Sequence, residues 1–172
     1  MQKITIKKIL NKKNKSPIAC LTAYSKNIAQ VADKYCDIIL VGDSLGMVVY
    51  GMKTTRDVKI ETMILHAKAV KKSTKKSLVV FDMPYKTYLN KLAAYKNAKK
   101  VIKLTKCDAI KLEGGTKIVN IIKYLVKRKI PVMGHIGLLP QTSKKFKVKG
   151  KNSIQKNKIL KDALAISKSG AF

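Results

Sequence analysis

The sequence has 172 residues, 46% of them hydrophobic, with 38 Lys+Arg against 9 Asp+Glu and a formal net charge of +29. That apolar content excludes a disordered chain, which could not bury enough surface to offset its ordering entropy, and the length fits one domain. The charge does not by itself make a nucleic-acid module: Arg56 and Arg128 are the only arginines, and the lysines run from Lys3 to Lys168 without gathering into one arm, whereas Arg is the residue whose planar fork reads base edges.

Asn, Ile and Tyr are common around those lysines, as A/T-rich coding produces on solvated faces. No specific nucleic-acid partner is therefore expected, only salt-sensitive sticking to polyanions. Cys20, Cys36 and Cys107 are odd in number and have no CxxC or Cys/His spacing, so neither a disulfide framework nor a zinc site is suggested, and a reducing cytoplasm fits.

In chain order, the opening MQKITIKKILNKKNK is too polar for a secretory signal. It reads instead as an amphipathic helix, over about residues 4–12, packed under the domain. No run approaches the roughly 20 apolar residues of a membrane span, so no membrane partner is expected. Short apolar runs follow: IACLTAY from Ile18, DIILVG from Asp37, SLVVF from Ser77, AIKL from Ala109 and PVMG from Pro131. Their near-continuous hydrophobicity suits parallel strands covered on both faces. Helical patterns lie after them, over 28–35, 60–72, 91–106, 116–128 and 154–169; Ile118, Ile121, Ile122 and Leu125 line one face of the fourth.

Strictly alternating βα units predict a parallel sheet, either doubly wound or a (βα)8 barrel. No G-x-G-x-x-G or P-loop follows the first strand, and polar residues stand at the C-terminal ends of several strands, so the barrel is preferred. The chain supplies about the first five βα units as a single, incomplete barrel domain over 1–172, and is expected to be a fragment or the product of an interrupted gene.

Three of the nine acids follow strands: Asp43 after IILVG, Asp82 after SLVVF and Glu113 after AIKL, while His135 follows PVMG. In a parallel barrel these ends share one mouth, where oxygen donors suit a hard cation such as Mg2+. The alternative for each is a helix N-cap, which for Asp43 alone is as good a reading. Ser44 is a candidate to hold a substrate carboxylate, or again a cap. Lys111 shares a strand face with Glu113; inside a barrel it would balance carboxylates, bind a substrate anion or form a Schiff base. His135 is a candidate substrate or metal contact, though a lone His is more often structural, and His66 reads as structural.

LTAY at 21–24, VGDSLGMVVYG at 41–51, FDMPY at 81–85, IKLEGG at 110–115 and GHIGLLPQT at 134–142, in this order, closely resemble the ketopantoate (3-methyl-2-oxobutanoate) hydroxymethyltransferases. The resemblance implies a barrel of the phosphoenolpyruvate/pyruvate type, a homo-oligomer (often a decamer), Mg2+, and one-carbon transfer from 5,10-methylenetetrahydrofolate to 3-methyl-2-oxobutanoate, giving 2-dehydropantoate for pantothenate and coenzyme A. By the same resemblance Asp43, Asp82 and Glu113 form the metal set, Glu113 through water, and Asp43, Ser44, Asp82 and Lys111 bind substrate, which favours charge pairing by Lys111 over a Schiff base.

The family's general base, a Glu ending the sixth strand, falls beyond Phe172, so no residue here takes that role. The loop near 143–149 looks shortened by a few residues. Two other readings compete: another Mg-dependent 2-oxo acid lyase or aldolase of this barrel class, and a basic nucleic-acid-binding module.

Overall fold

A computed structural model describes residues 2–143 and 145–172. Five parallel strands, β1 (Cys20–Thr22), β2 (Ile38–Val41), β3 (Leu78–Asp82), β4 (Ala109–Glu113) and β5 (Val132–His135), pair in the order β1-β2-β3-β4-β5. A doubly wound sheet reverses its strand order at a switch point. This sheet never reverses, which is the order of consecutive units around a barrel. Phe172 N donates to Val132 O at the open edge of β5.

Alternation along each strand sorts the side chains into two cores. Ile39, Val41, Val79, Phe81, Ile110, Leu112 and Val132 point outward into a cluster with the apolar faces of α2 (Lys26–Tyr35), α4 (Ile60–Lys72), α5 (Lys91–Thr105) and α6 (Val119–Lys127). Ile38, Leu78, Val80 and Ala109 point inward, where Ile4 and Ile9 join them from the N-terminal segment and its helix α1 (Ile6–Asn11). The helix expected over 4–12 thus forms and plugs the bottom of the barrel, one residue shorter at its C-terminal end and two at its N-terminal end. A last helix, α7 (Ser153–Lys168), packs Ile166 onto Gly134, where any Cβ would run into it.

Three expectations need correction. The first strand is three residues rather than seven and is exposed along its length, because it lies at an edge; Leu21 and the α2 residues Ile28, Val31 and Tyr35 leave apolar surface beside it. The helix expected from Thr116 begins as a 3-10 turn, Gly115–Ile118, since Gly114 and Gly115 both take positive φ at the end of β4. A short helix α3 (Leu45–Val48) and a 3-10 turn at Thr55–Asp57 follow β2, and were not expected. In the loop near 143–149, Lys144 lies outside the described residues.

Six of the nine acids divide between the ends of the barrel. At the bottom, Asp33 accepts from the backbone of Lys75, Lys76 and Ser77, Asp37 from Ala19 N and Lys12, and Asp108 from Val79 N, Lys3 and Lys71. These carboxylates staple strand entrances together. Those at the top do something else.

Candidate active site

Strand register builds the site. Asp82 and Lys111 are direct neighbours across β3 and β4, and Glu113 and His135 across β4 and β5. All four continue the inward-pointing rows of Leu78–Val80, Ala109 and Met133, so they enclose the upper interior. Lys111 Nζ lies 2.5 Å from Asp82 Oδ2, with side chains 12% and 3% exposed. His135 Nδ1 stands 3.5 Å from Glu113 Oε2. Asp43 reaches the same volume from the turn after β2 and is also buried.

None of these carboxylates is a cap. Thr5, Asn90 and Asn152 cap α1, α5 and α7, whereas Ser44, at the start of α3, makes no side-chain cap bond. Its hydroxyl instead meets Tyr24 OH at 2.8 Å. Tyr24 is in turn held through its carbonyl by His66 Nδ1 at 2.6 Å, and Tyr50 OH meets His66 Nε2 at 2.9 Å, so His66 is structural, as expected.

Sequence reasoning missed Gln141. Buried at 2% exposure, it donates from Nε2 to Asp43 Oδ2 and to Met83 O, both at 2.9 Å, accepts from Tyr88 OH at 2.6 Å, and donates its backbone N–H to Glu113 Oε1 at 2.8 Å. Arg56 Nε holds its carbonyl at 2.9 Å. The only sequence signal was its place in the GHIGLLPQT motif.

Burial governs the protonation states. It pushes Asp82 up to about 6 even though Lys111 pulls the other way, and Glu113 up to about 7. Asp43 is also raised, with Gln141 and Lys111 opposing. Burial and then Lys111 depress His135 to about 4. Near neutral pH His135 is therefore uncharged, and its approach to Glu113 is not an ion pair.

Among the described residues, the buried side-chain atoms Asp82 Oδ1 and His135 Nδ1 lack a hydrogen-bond partner, whereas the Thr55 hydroxyl lies against the Asp43 carboxylate and favours its charge. Each costs about 1–3 kcal/mol if left unsatisfied. Both stand at this mouth, where a ligand could satisfy them. Also among the described residues, no group of three or more His, Cys, Asp or Glu forms a ready cage for a metal, because Lys111 and Gln141 sit on the carboxylates. Mg2+ needs only one or two carboxylates and keeps several waters, so Asp43 with the half-satisfied Asp82 fits such an ion.

The family model of ketopantoate hydroxymethyltransferase matches residues 3–172. The chain belongs to that family. It is 55% identical over 169 residues to 3-methyl-2-oxobutanoate hydroxymethyltransferase of Pelagibacter ubique (strain HTCC1062), covering 96% of this chain and 66% of that protein. The protein of the same name from Anaplasma marginale (strain Florida) is 47% identical, with 98% and 62% covered. The chain thus spans just under two thirds of the length of these relatives. Among solved structures, phosphonopyruvate hydrolase complexed with oxalate and Mg++ superposes with TM-score 0.71 at 12% identity, covering 97% of this chain and 61% of the other. A 2,3-dimethylmalate lyase of the PEP mutase/isocitrate lyase superfamily gives 0.65 at 14%, covering 98% and 60%. These likenesses support the fold, a partial (βα)8 barrel. No helix among the described residues is long and apolar enough to cross a membrane.

Proposed function

We propose that the chain carries the 2-oxo acid half of a Mg2+-dependent hydroxymethyl transfer from 5,10-methylenetetrahydrofolate to 3-methyl-2-oxobutanoate, giving 2-dehydropantoate. The observation that carries this reading is the gathering of the unpartnered buried atoms of Asp82 and His135 with Asp43, Lys111 and Glu113 at one barrel mouth. Asp43 and Asp82 would hold the cation, with Glu113 acting through water. When bound, the ion supplies Lewis acidity to a chelating 2-oxo acid.

This chain's residues do the rest of the binding. Lys111, the cation deepest in the site, pairs with Asp82 and presents positive charge to the substrate anion; no loss of its proton is needed, so a Schiff base is not part of the reading. Ser44, oriented by Tyr24, offers a hydroxyl to the substrate carboxylate. His135, uncharged, offers a ring nitrogen whose Nδ1 is without a partner. The acceptor of the C3 proton is assigned to no residue of this chain. By the same family reading the protein is a cytoplasmic homo-oligomer, a decamer.

Formation of 2-dehydropantoate from the two substrates, followed with and without Mg2+ and in Asp43→Ala and Asp82→Ala, tests the proposal. Both variants should abolish the Mg2+-dependent turnover while leaving the fold largely intact. Wild-type rates in either variant would overturn the cation assignment, and turnover only with other 2-oxo acids would favour a lyase or aldolase.

A further inference from the structure

We propose that Gln141 is a positioning residue for the cation site, fixing Asp43 and Glu113 in place without cancelling their charge. This rests on the reading that Asp43 and Asp82 hold a divalent cation. Gln141 lies in the loop between β5 and α7, yet its hydrogen bonds reach the ends of β2, β3 and β4 through Asp43, Met83 and Glu113. The bonds fix its amide orientation: Nε2 faces two acceptors, and Oε1 faces the Tyr88 hydroxyl. Turning the amide over would set an oxygen against a carboxylate and a carbonyl. Burial raises the Tyr88 ionisation above its ordinary value, so its hydroxyl keeps the proton it donates.

The two aspartates differ in their partners. Asp82 is held by a cation, Lys111, which offsets its charge. Asp43 is held by a neutral amide, which orders the carboxylate through Oδ2 and leaves its negative charge for a bound ion. No other standard side chain of this length offers two donors and one acceptor. Arg56, holding the Gln141 and Ser143 carbonyls, fixes the loop from which the amide reaches in. Groups of this kind, bonded to a metal ligand without touching the metal, typically carry about 10–100-fold of affinity.

The test is direct Mg2+ titration by calorimetry on the purified protein, its Gln141→Met and Gln141→Glu variants, and Asp43→Ala, with the Tm measured without Mg2+. Gln141→Met keeps the volume and loses every donor; Gln141→Glu keeps the shape and the Tyr88 partner but loses the amide donors. Mg2+ affinity at least about tenfold weaker in the folded variants is expected, by more than any change in Tm accounts for. Unchanged or tighter Mg2+ binding in a folded Gln141 variant, while Asp43→Ala loses it, overturns the role of Gln141 and leaves the cation site standing. Equal binding by the unaltered protein and Asp43→Ala overturns both.

Discussion

Replacing Lys111 by Met removes the one cation paired with Asp82, and the structure sets how much that costs. Breaking a buried ion pair costs about 3–5 kcal/mol when the partner stays charged. Asp82 has a cheaper course. Its carboxyl already sits at about 6, against an ordinary value of 3.8, because of burial. At about pH 7 it stands one pH unit above that value, so the folded protein loses only about 1.4 kcal/mol if the carboxyl is held protonated instead. Without Lys111 the value rises further and the protonated form takes over.

Lys111→Met should therefore destabilise by about 1–2 kcal/mol near pH 7, by about 3 kcal/mol near pH 8, and hardly at all near pH 5. Adding Asp82→Asn should abolish the pH dependence. Urea unfolding of the three proteins at the three pH values measures this, with midpoints compared at constant slope. A loss that does not change with pH, or one of about 3–5 kcal/mol already near pH 5, would refute the reasoning.

The bottom of the barrel should lose its contribution in the same direction, on acidification, but in a lower pH window. For Asp33, burial raises the carboxyl, but three backbone N–H donors outweigh it and hold it below 3.8; its contribution is present above that pH and fades as pH falls further. Asp33→Ala should cost about 1–3 kcal/mol near neutral pH and progressively less as pH falls below 3.8, measured by thermal unfolding. Gly134→Ala drives a Cβ into Ile166 Cδ1 of α7, and an overpacking loss of about 1–3 kcal/mol is expected in urea; a neutral result would mean that the Ile166 side chain turns aside without cost. Polyanion binding, followed by filter retention of DNA of mixed sequence, should be weak, indifferent to sequence and lost at moderate salt, whereas a sequence preference would revive the nucleic-acid reading.

What the sequence made legible follows from how local each signal is. The strands β2 to β5 stood out because parallel strands buried on both faces must be apolar throughout, and Asp82, Glu113 and His135 fall at their ends as read. The edge strand β1 was overdrawn: LTAY is as apolar as the rest, and only its pairing on one side shortens the ladder. The choice between cap and site for Asp43 and Ser44 needed three dimensions, since both readings place the same residues before a helix. Gln141 lay beyond local reasoning altogether. Its partners are as far as 98 residues away in sequence, and nothing in the residue type distinguishes a buried amide from a loop one.

The most direct test of the central claim, that this mouth is a cation-dependent 2-oxo acid site, is calorimetric titration of 3-methyl-2-oxobutanoate into the protein with Mg2+ and with chelator. The account predicts binding that requires Mg2+ and disappears in Asp82→Ala. Binding of the same strength in chelator, or its persistence in Asp82→Ala, would contradict it.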